Sequence, residues 1–228
     1  MLNKKAVNYV KNKNQNLFEQ RHGPLNVLVK DPIENVNIEL VFNHINRLLP
    51  EHFLSLIDVV YIGKFDFFEE REVNAMFVDD ALYISNEQDN GEDMLDDIVH
   101  EFAHAVEKRY GEFIYRDGNI ESEFLLKRKR LEKMLHHQGY DVAKHNFLNP
   151  EYTKEMDFFL LDDVGYDVLN TLTVNMFMNP YSITSLSEYF ATGFEQHYLE
   201  NRSFLKTLCP YVYKKLIVLH NDTQEELL

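Results

Sequence analysis

His100, Glu101 and His104 stand in the run His100-Glu101-Phe102-Ala103-His104. Two imidazoles four residues apart share one face of an α-helix, so both can reach a single zinc ion from the same side. Glu101 is turned about 100 degrees from His100 at 3.6 residues per turn, which lets its carboxylate approach a water at the metal without being a ligand. The chemistry suited to this pattern is metal-assisted hydrolysis, with zinc as Lewis acid and the glutamate as general base. Coincidence in a chain with ten histidines is the competing reading, and it weakens where the run lies on an amphipathic helix.

The flanking residues supply that helix. Leu95, Ile98, Val99, Phe102 and Val106 recur at spacings of three and four, which predicts a helix over residues 92–109. The acidic stretch just before it suits the positive end of a helix. Upstream, the β-branched run 57–62 reads as a strand closed by Gly63, and residues 74–78 and 81–85 flank Asp79-Asp80 as a hairpin whose glycine-free turn leaves its type open. A helix is expected over 36–49 from Ile38, Leu40, Val41, Ile45 and Leu48, with Pro50 after it. Beyond the motif the pattern is helical over 122–137, 157–178, 186–200 and 204–220. Helix, sheet, then helices argues for an α+β class with a small mixed or antiparallel sheet, in one domain over 36–228 preceded by an N-terminal arm or extension over 1–35.

A catalytic zinc takes three protein ligands and keeps a fourth position open. The metzincin continuation is absent, because Glu107 and Tyr110 stand where its glycine and third histidine belong. Cys209 is the only cysteine, which excludes both an intrachain disulfide and a site built on several thiolates. A carboxylate from another helix is the remaining common option, and Glu188, in the run 185–198, offers one. Ser185-x-x-Glu188 also reads as a capping box, and on spacing alone the two readings are even. Asp97 and Glu107, three residues before His100 and three after His104, either orient a ligand imidazole or face solvent.

These residues, a hairpin strand ending Tyr83-Ile84-Ser85, then the His100–His104 run, then Tyr181 seven residues before Glu188-Tyr189-Phe190-Ala191, resemble the catalytic domain of anthrax lethal factor and its relatives; the Pro-Pro endopeptidases look similar in this pattern. The resemblance covers residues 56–198. It implies a zincin-like fold and a zinc endopeptidase of the gluzincin type, with one zinc per chain on His100, His104 and Glu188. It further implies Glu101 as the residue that activates water and Tyr181 as the stabiliser of the transition state, with a packed interface tyrosine as the competing reading of Tyr181. The long separation between His104 and Glu188 implies a helical insertion over about 115–165.

An extended protein or peptide substrate is expected against Ala81, Leu82, Tyr83, Ile84 and Ser85, using an exposed edge of that strand for backbone pairing. The formal net charge of -15 argues against nucleic-acid partners. The one dense basic run, Lys127 to Arg130, reads as the solvated face of a helix. The start of the chain lacks a signal-peptide pattern and no stretch reaches the roughly 20 apolar residues that span a bilayer. The expectation is a protein with no membrane partner, located in the cytoplasm or in a virion-like particle. The rival from another class is a catalytically silent zincin-fold structural or binding protein.

Overall fold

Short β-rich segments in the first half of the chain pair into a mixed sheet, in a computed structural model that describes residues 18–71 and 73–221. Its strands are β1 (Phe18–His22), β2 (Leu25–Val29), β3 (Val59–Ile62), β4 (Ala75–Val78) and β5 (Ala81–Ile84), in the order β1-β2-β3-β5-β4. β1 and β2 form an antiparallel hairpin turned at Gly23, whose φ of 60° suits glycine. β2, β3 and β5 run parallel, and β4 returns antiparallel on β5. The fold is therefore α+β with a mixed sheet.

The hairpin between β4 and β5 turns on Asp79 (φ 52°) and Asp80 (φ 61°). Two successive positive φ values define the type I′ geometry that matches strand twist, and aspartate tolerates it where bulkier residues do not. Lys108 Nζ meets Asp80 Oδ1 at 2.7 Å and ties this turn to the long helix described below. The missing glycine thus does not prevent the favoured turn.

Two parallel strands need a crossover, and α1 (Ile38–Leu48) with the single turn α2 (Glu51–Leu54) fills the one between β2 and β3. Asn37 opens α1 by accepting from the Leu40 N–H at 3.1 Å, and Val41, Phe42 and Ile45 are buried. Leu40 points outward instead, 66% exposed. A further short helix, α3 (Asp66–Arg71), precedes β4.

The motif helix, α4, runs from Gly91 to Tyr115. Asn90 Oδ1 accepts from the N–H groups of Glu92 and Asp93, satisfying two of the donors that a helix start leaves unpaired. The expected stripe of Leu95, Ile98, Val99, Phe102 and Val106 is buried in full. The helix outruns its expected end at 109 because Tyr110 and Ile114 continue the apolar stripe by one further turn.

The chain forms two compact units, Met1–Arg109 and Tyr110–Leu228, where the sequence suggested one domain from residue 36. The expected arm also shrinks: β1 and β2 lie within 1–35, and Leu25 and Val27 are buried in the core, while residues 1–17 lie outside those described. Among the described residues the second unit is helical. After the end of α4 come α5 (Asn119–His137), α6 (Lys154–Phe158), a π-helical turn (Phe159–Val164), α7 (Tyr166–Leu172), a 3-10 turn (Tyr181–Ile183), α8 (Leu186–Tyr198), α9 (Arg202–Leu208) and α10 (Pro210–Asn221). Two long helices expected from periodicity are broken. Gly165 (φ 85°) interrupts the first, and Pro210, which has no N–H to give a preceding turn, starts a new helix after Cys209.

Candidate metal centre

In the first unit, Val99, Phe102, Ala103 and Val106 face the core from α4 while Asp97, His100, Glu101, His104 and Glu107 are half-buried along its flank. That division follows from the helical period, which places the apolar and the chemical residues on adjoining faces. His100 Nε2 and His104 Nε2 stand 3.1 Å apart, with ring centroids at 4.9 Å and planes inclined at 73°. His100, Glu101 and His104 each present a potential ligand atom within 4.8 Å of the others.

A zinc ion held at about 2.0–2.1 Å by two imidazole nitrogens in tetrahedral geometry separates them by about 3.3 Å. The observed spacing fits that requirement, and the donor set of borderline nitrogens suits zinc. Two facing ring nitrogens cannot both carry protons, so at least one is a lone pair directed into this space.

Glu107 Oε2 lies 3.5 Å from His104 Nδ1, on the side of the ring away from the paired Nε2 atoms. A carboxylate at that position can orient an imidazole that binds a metal. Asp97, the corresponding candidate beside His100, accepts from Gln88 Nε2 at 3.2 Å. Glu101 Oε2 accepts the backbone N–H of Phe77 at 2.6 Å.

The expected substrate strand needs correction. Ala81, Leu82, Tyr83, Ile84 and Ser85 are all buried, and β5 is paired with β3 on one side and β4 on the other. It has no free edge. Burial beside the Tyr61 hydroxyl and the Asp79 carboxylate pushes the Tyr83 phenol up to about 12. The outer strand on this side of the sheet is β4, which the sequence identified as a strand without showing that its return across β5 would place it outermost.

In the second unit, Ser185 caps α8 by accepting from the Glu188 N–H at 3.1 Å, so Glu188 occupies the third position of the helix. Its Oε2 atom is buried. Tyr181 lies in the 3-10 turn that packs on α8, 37% exposed, with its carbonyl accepting from Thr184 Oγ1 at 2.8 Å.

Sequence reasoning missed the surroundings of Glu188. Tyr152 donates to Asp157 Oδ2 at 2.7 Å. Its phenol is pushed up to about 12 by burial, then by that bond and by the charges of Asp157 and Glu188. Tyr166 is raised by burial and by the same two carboxylates. Tyr152 and Asp157 come from the segment read as an insertion and Tyr166 follows it directly, and no spacing rule linked them to Glu188.

No family model, no curated protein and no solved structure matches this chain. Among the described residues, no helix is long and apolar enough to cross a membrane.

Proposed function

We propose that this protein is a zinc-dependent endopeptidase of the gluzincin type, with His100, His104 and Glu188 as metal ligands. The observation that carries the reading is the 3.1 Å approach of the two Nε2 atoms with the Glu101 carboxylate in the same group. A purely packed pair of histidines would not require a carboxylate at that place, and Glu107 behind His104 supplies the outer support that metal-binding imidazoles characteristically have. Glu188 enters through the resemblance of its helix, supported by the burial of Oε2.

Zinc, when bound, supplies a Lewis acid that makes water a usable nucleophile near neutral pH and polarises a peptide carbonyl. Glu101 takes the proton of the attacking water on its carboxylate and returns it to the leaving amine. Tyr181 donates its hydroxyl hydrogen bond to the oxygen that gains charge in the transition state. The substrate lies extended along β4, the outer strand on this side among the described residues and the one that meets Glu101.

The test is the zinc content of the purified protein beside His104→Ala and Glu188→Ala, with circular dichroism confirming the fold, followed by peptide hydrolysis. One zinc per chain, lost in both variants, is the expected result. Zinc retained by Glu188→Ala would remove it from the ligand set. Stoichiometric zinc without hydrolysis of any peptide in a diverse library would instead favour a silent structural or binding role.

A further inference from the structure

The basic run Lys127 to Arg130 is not the solvated face that its composition suggests. Lys129 and Arg130 are exposed, but Arg128 is 1% exposed and Lys127 is half-buried. A guanidinium taken out of water carries a large desolvation penalty. That penalty lowers the Arg128 pKa to about 10, so it remains a cation at neutral pH. Among the described residues no carboxylate pairs with it.

Arg128 holds one specific group. Its Nη1 donates to the Asn149 carbonyl at 2.6 Å, while the guanidinium lies over the rings of Phe124 (5.3 Å) and Phe147 (5.8 Å). The next carbonyl along the chain, that of Pro150, accepts from the Leu186 N–H at 2.8 Å. Leu186 is the first residue of α8, where backbone N–H groups have no partner within the helix. One residue earlier, Ser185 Oγ accepts from the Glu188 N–H. Three hydrogen bonds, linked through consecutive residues, thus connect Arg128 to the turn that carries Glu188.

Lys127 makes a second attachment to the same helix. Its Nζ donates to the Tyr189 hydroxyl at 2.5 Å and to the Leu208 carbonyl at 2.7 Å. Neighbouring cations of α5 therefore grip α8 on both sides of Glu188 in sequence, one directly at residue 189 and one through the loop bonded to residue 186.

We propose that Arg128 is a positioning residue for Glu188, setting the start of α8 so that the carboxylate is preorganised for metal; this rests on Glu188 being the third zinc ligand. A buried cation bound to a loop carbonyl is a costly way to fill space, since an apolar residue of similar size packs there with no charge to desolvate. It is a direct way to fix a backbone, because the planar donor fork holds its acceptor in one direction. Outer residues that orient a ligand change metal affinity by about 10- to 100-fold when removed.

The experiment is zinc titration of the full chain against a competing chelator, for wild type, Arg128→Met, Arg128→Lys, Glu188→Ala and the double variant Arg128→Met with Glu188→Ala. Circular dichroism and metal-free thermal unfolding establish that each is folded. Arg128→Met is expected to weaken zinc binding about 10- to 100-fold, and Arg128→Lys to recover part of that loss. In the Glu188→Ala background Arg128→Met should change affinity by less than about twofold, because the residue through which it acts is gone. The same loss in both backgrounds would show a general structural effect and overturn the proposal, as would unchanged affinity in Arg128→Met. If Arg128→Met does not fold, the Arg128→Lys and Glu188→Ala pair gives the same comparison with a smaller effect. Equal zinc affinity in wild type and Glu188→Ala, or no zinc in wild type, would refute the ligand reading itself, and with it this role.

Discussion

Phe77, on the outermost strand β4, donates its backbone N–H to Glu101 Oε2 at 2.6 Å. The contact joins the sheet edge suited to an extended peptide to the carboxylate proposed to move the proton. A hydrogen bond to a charged acceptor is shorter and stronger than one between neutral groups, so it fixes Glu101 at a defined position relative to β4.

Glu101→Gln separates metal binding from proton transfer. The amide oxygen can still accept from Phe77, so the side chain keeps its place, but it cannot take a proton at neutral pH. Peptide hydrolysis should fall by about 100- to 10,000-fold while zinc content stays at the wild-type level. A variant that hydrolysed peptide at half the wild-type rate would exclude Glu101 as general base.

Phe77→Pro tests the edge contact. The Phe77 N–H serves Glu101, so proline there removes that bond at an edge position, where proline is tolerated. Loss of a hydrogen bond to a charged group, about 1.5–3 kcal/mol, should lower kcat by about tenfold or more with zinc retained. Phe77→Ala keeps the N–H and is the control. Equal kcat values for the two variants would show that the backbone donor has no part in the reaction.

Glu107→Ala removes the carboxylate 3.5 Å from His104 Nδ1 without touching a ligand. Zinc affinity measured by chelator competition should weaken by about 10- to 100-fold. Asp97→Ala provides the comparison, and unchanged zinc affinity in Glu107→Ala would show that this carboxylate does not support the His104 ring.

Much of the motif helix was legible because its apolar stripe and its chemical face follow one period, and each of Leu95, Ile98, Val99, Phe102 and Val106 is buried as that period requires. The β4–β5 hairpin was legible because two short apolar runs flank a pair of turn-forming aspartates. Sheet order was not, since it depends on which strands meet after crossovers that no local pattern encodes. That is why β5 was taken for an edge and the polar strand β1, with the strand β2 beside it, for an arm. The burial of Arg128 was hidden for a related reason: four successive basic residues look solvated until Phe124, Phe147 and Asn149 close around one of them.

Gly193 tests how tightly α8 is seated in the helical unit. A Cβ at that position would come within 2.7 Å of Val212 Cγ1 on α10 and 3.5 Å of Leu205 Cδ1 on α9. Alanine is the better helix former by about 1 kcal/mol, so an exposed site would gain from the change. Here the overlap should dominate, and Gly193→Ala should destabilise by about 1–3 kcal/mol in chemical denaturation. Adding Val212→Ala should return part of that loss, by making room for the methyl group. A stabilised single variant would mean that α8 and α10 are not in close contact at this point.

His197 gives the second unit a defined response to acid. It lies on α8, 1% exposed, against the rings of Tyr198, Tyr213 and His220, and among the described residues neither ring nitrogen has a hydrogen-bond partner. Burial lowers its pKa to about 4, and the charges of Arg202 and His220 act in the same direction. The folded state therefore keeps this imidazole neutral, whereas the unfolded chain binds a proton below about pH 6.5. More protons are bound on unfolding throughout the interval between these values, so stability decreases as pH falls from about 6.5 to about 4. The full loss from this group is up to about 3 kcal/mol. His197→Leu should remove that component, and the wild-type-minus-variant difference in unfolding free energy should change between pH 7.5 and pH 4.5 in the direction of a less acid-sensitive variant. Comparing the two proteins cancels the carboxylates that titrate in the same range. A difference that does not vary with pH would show that the His197 ring is charged or solvated in the folded state, contrary to the packing around it.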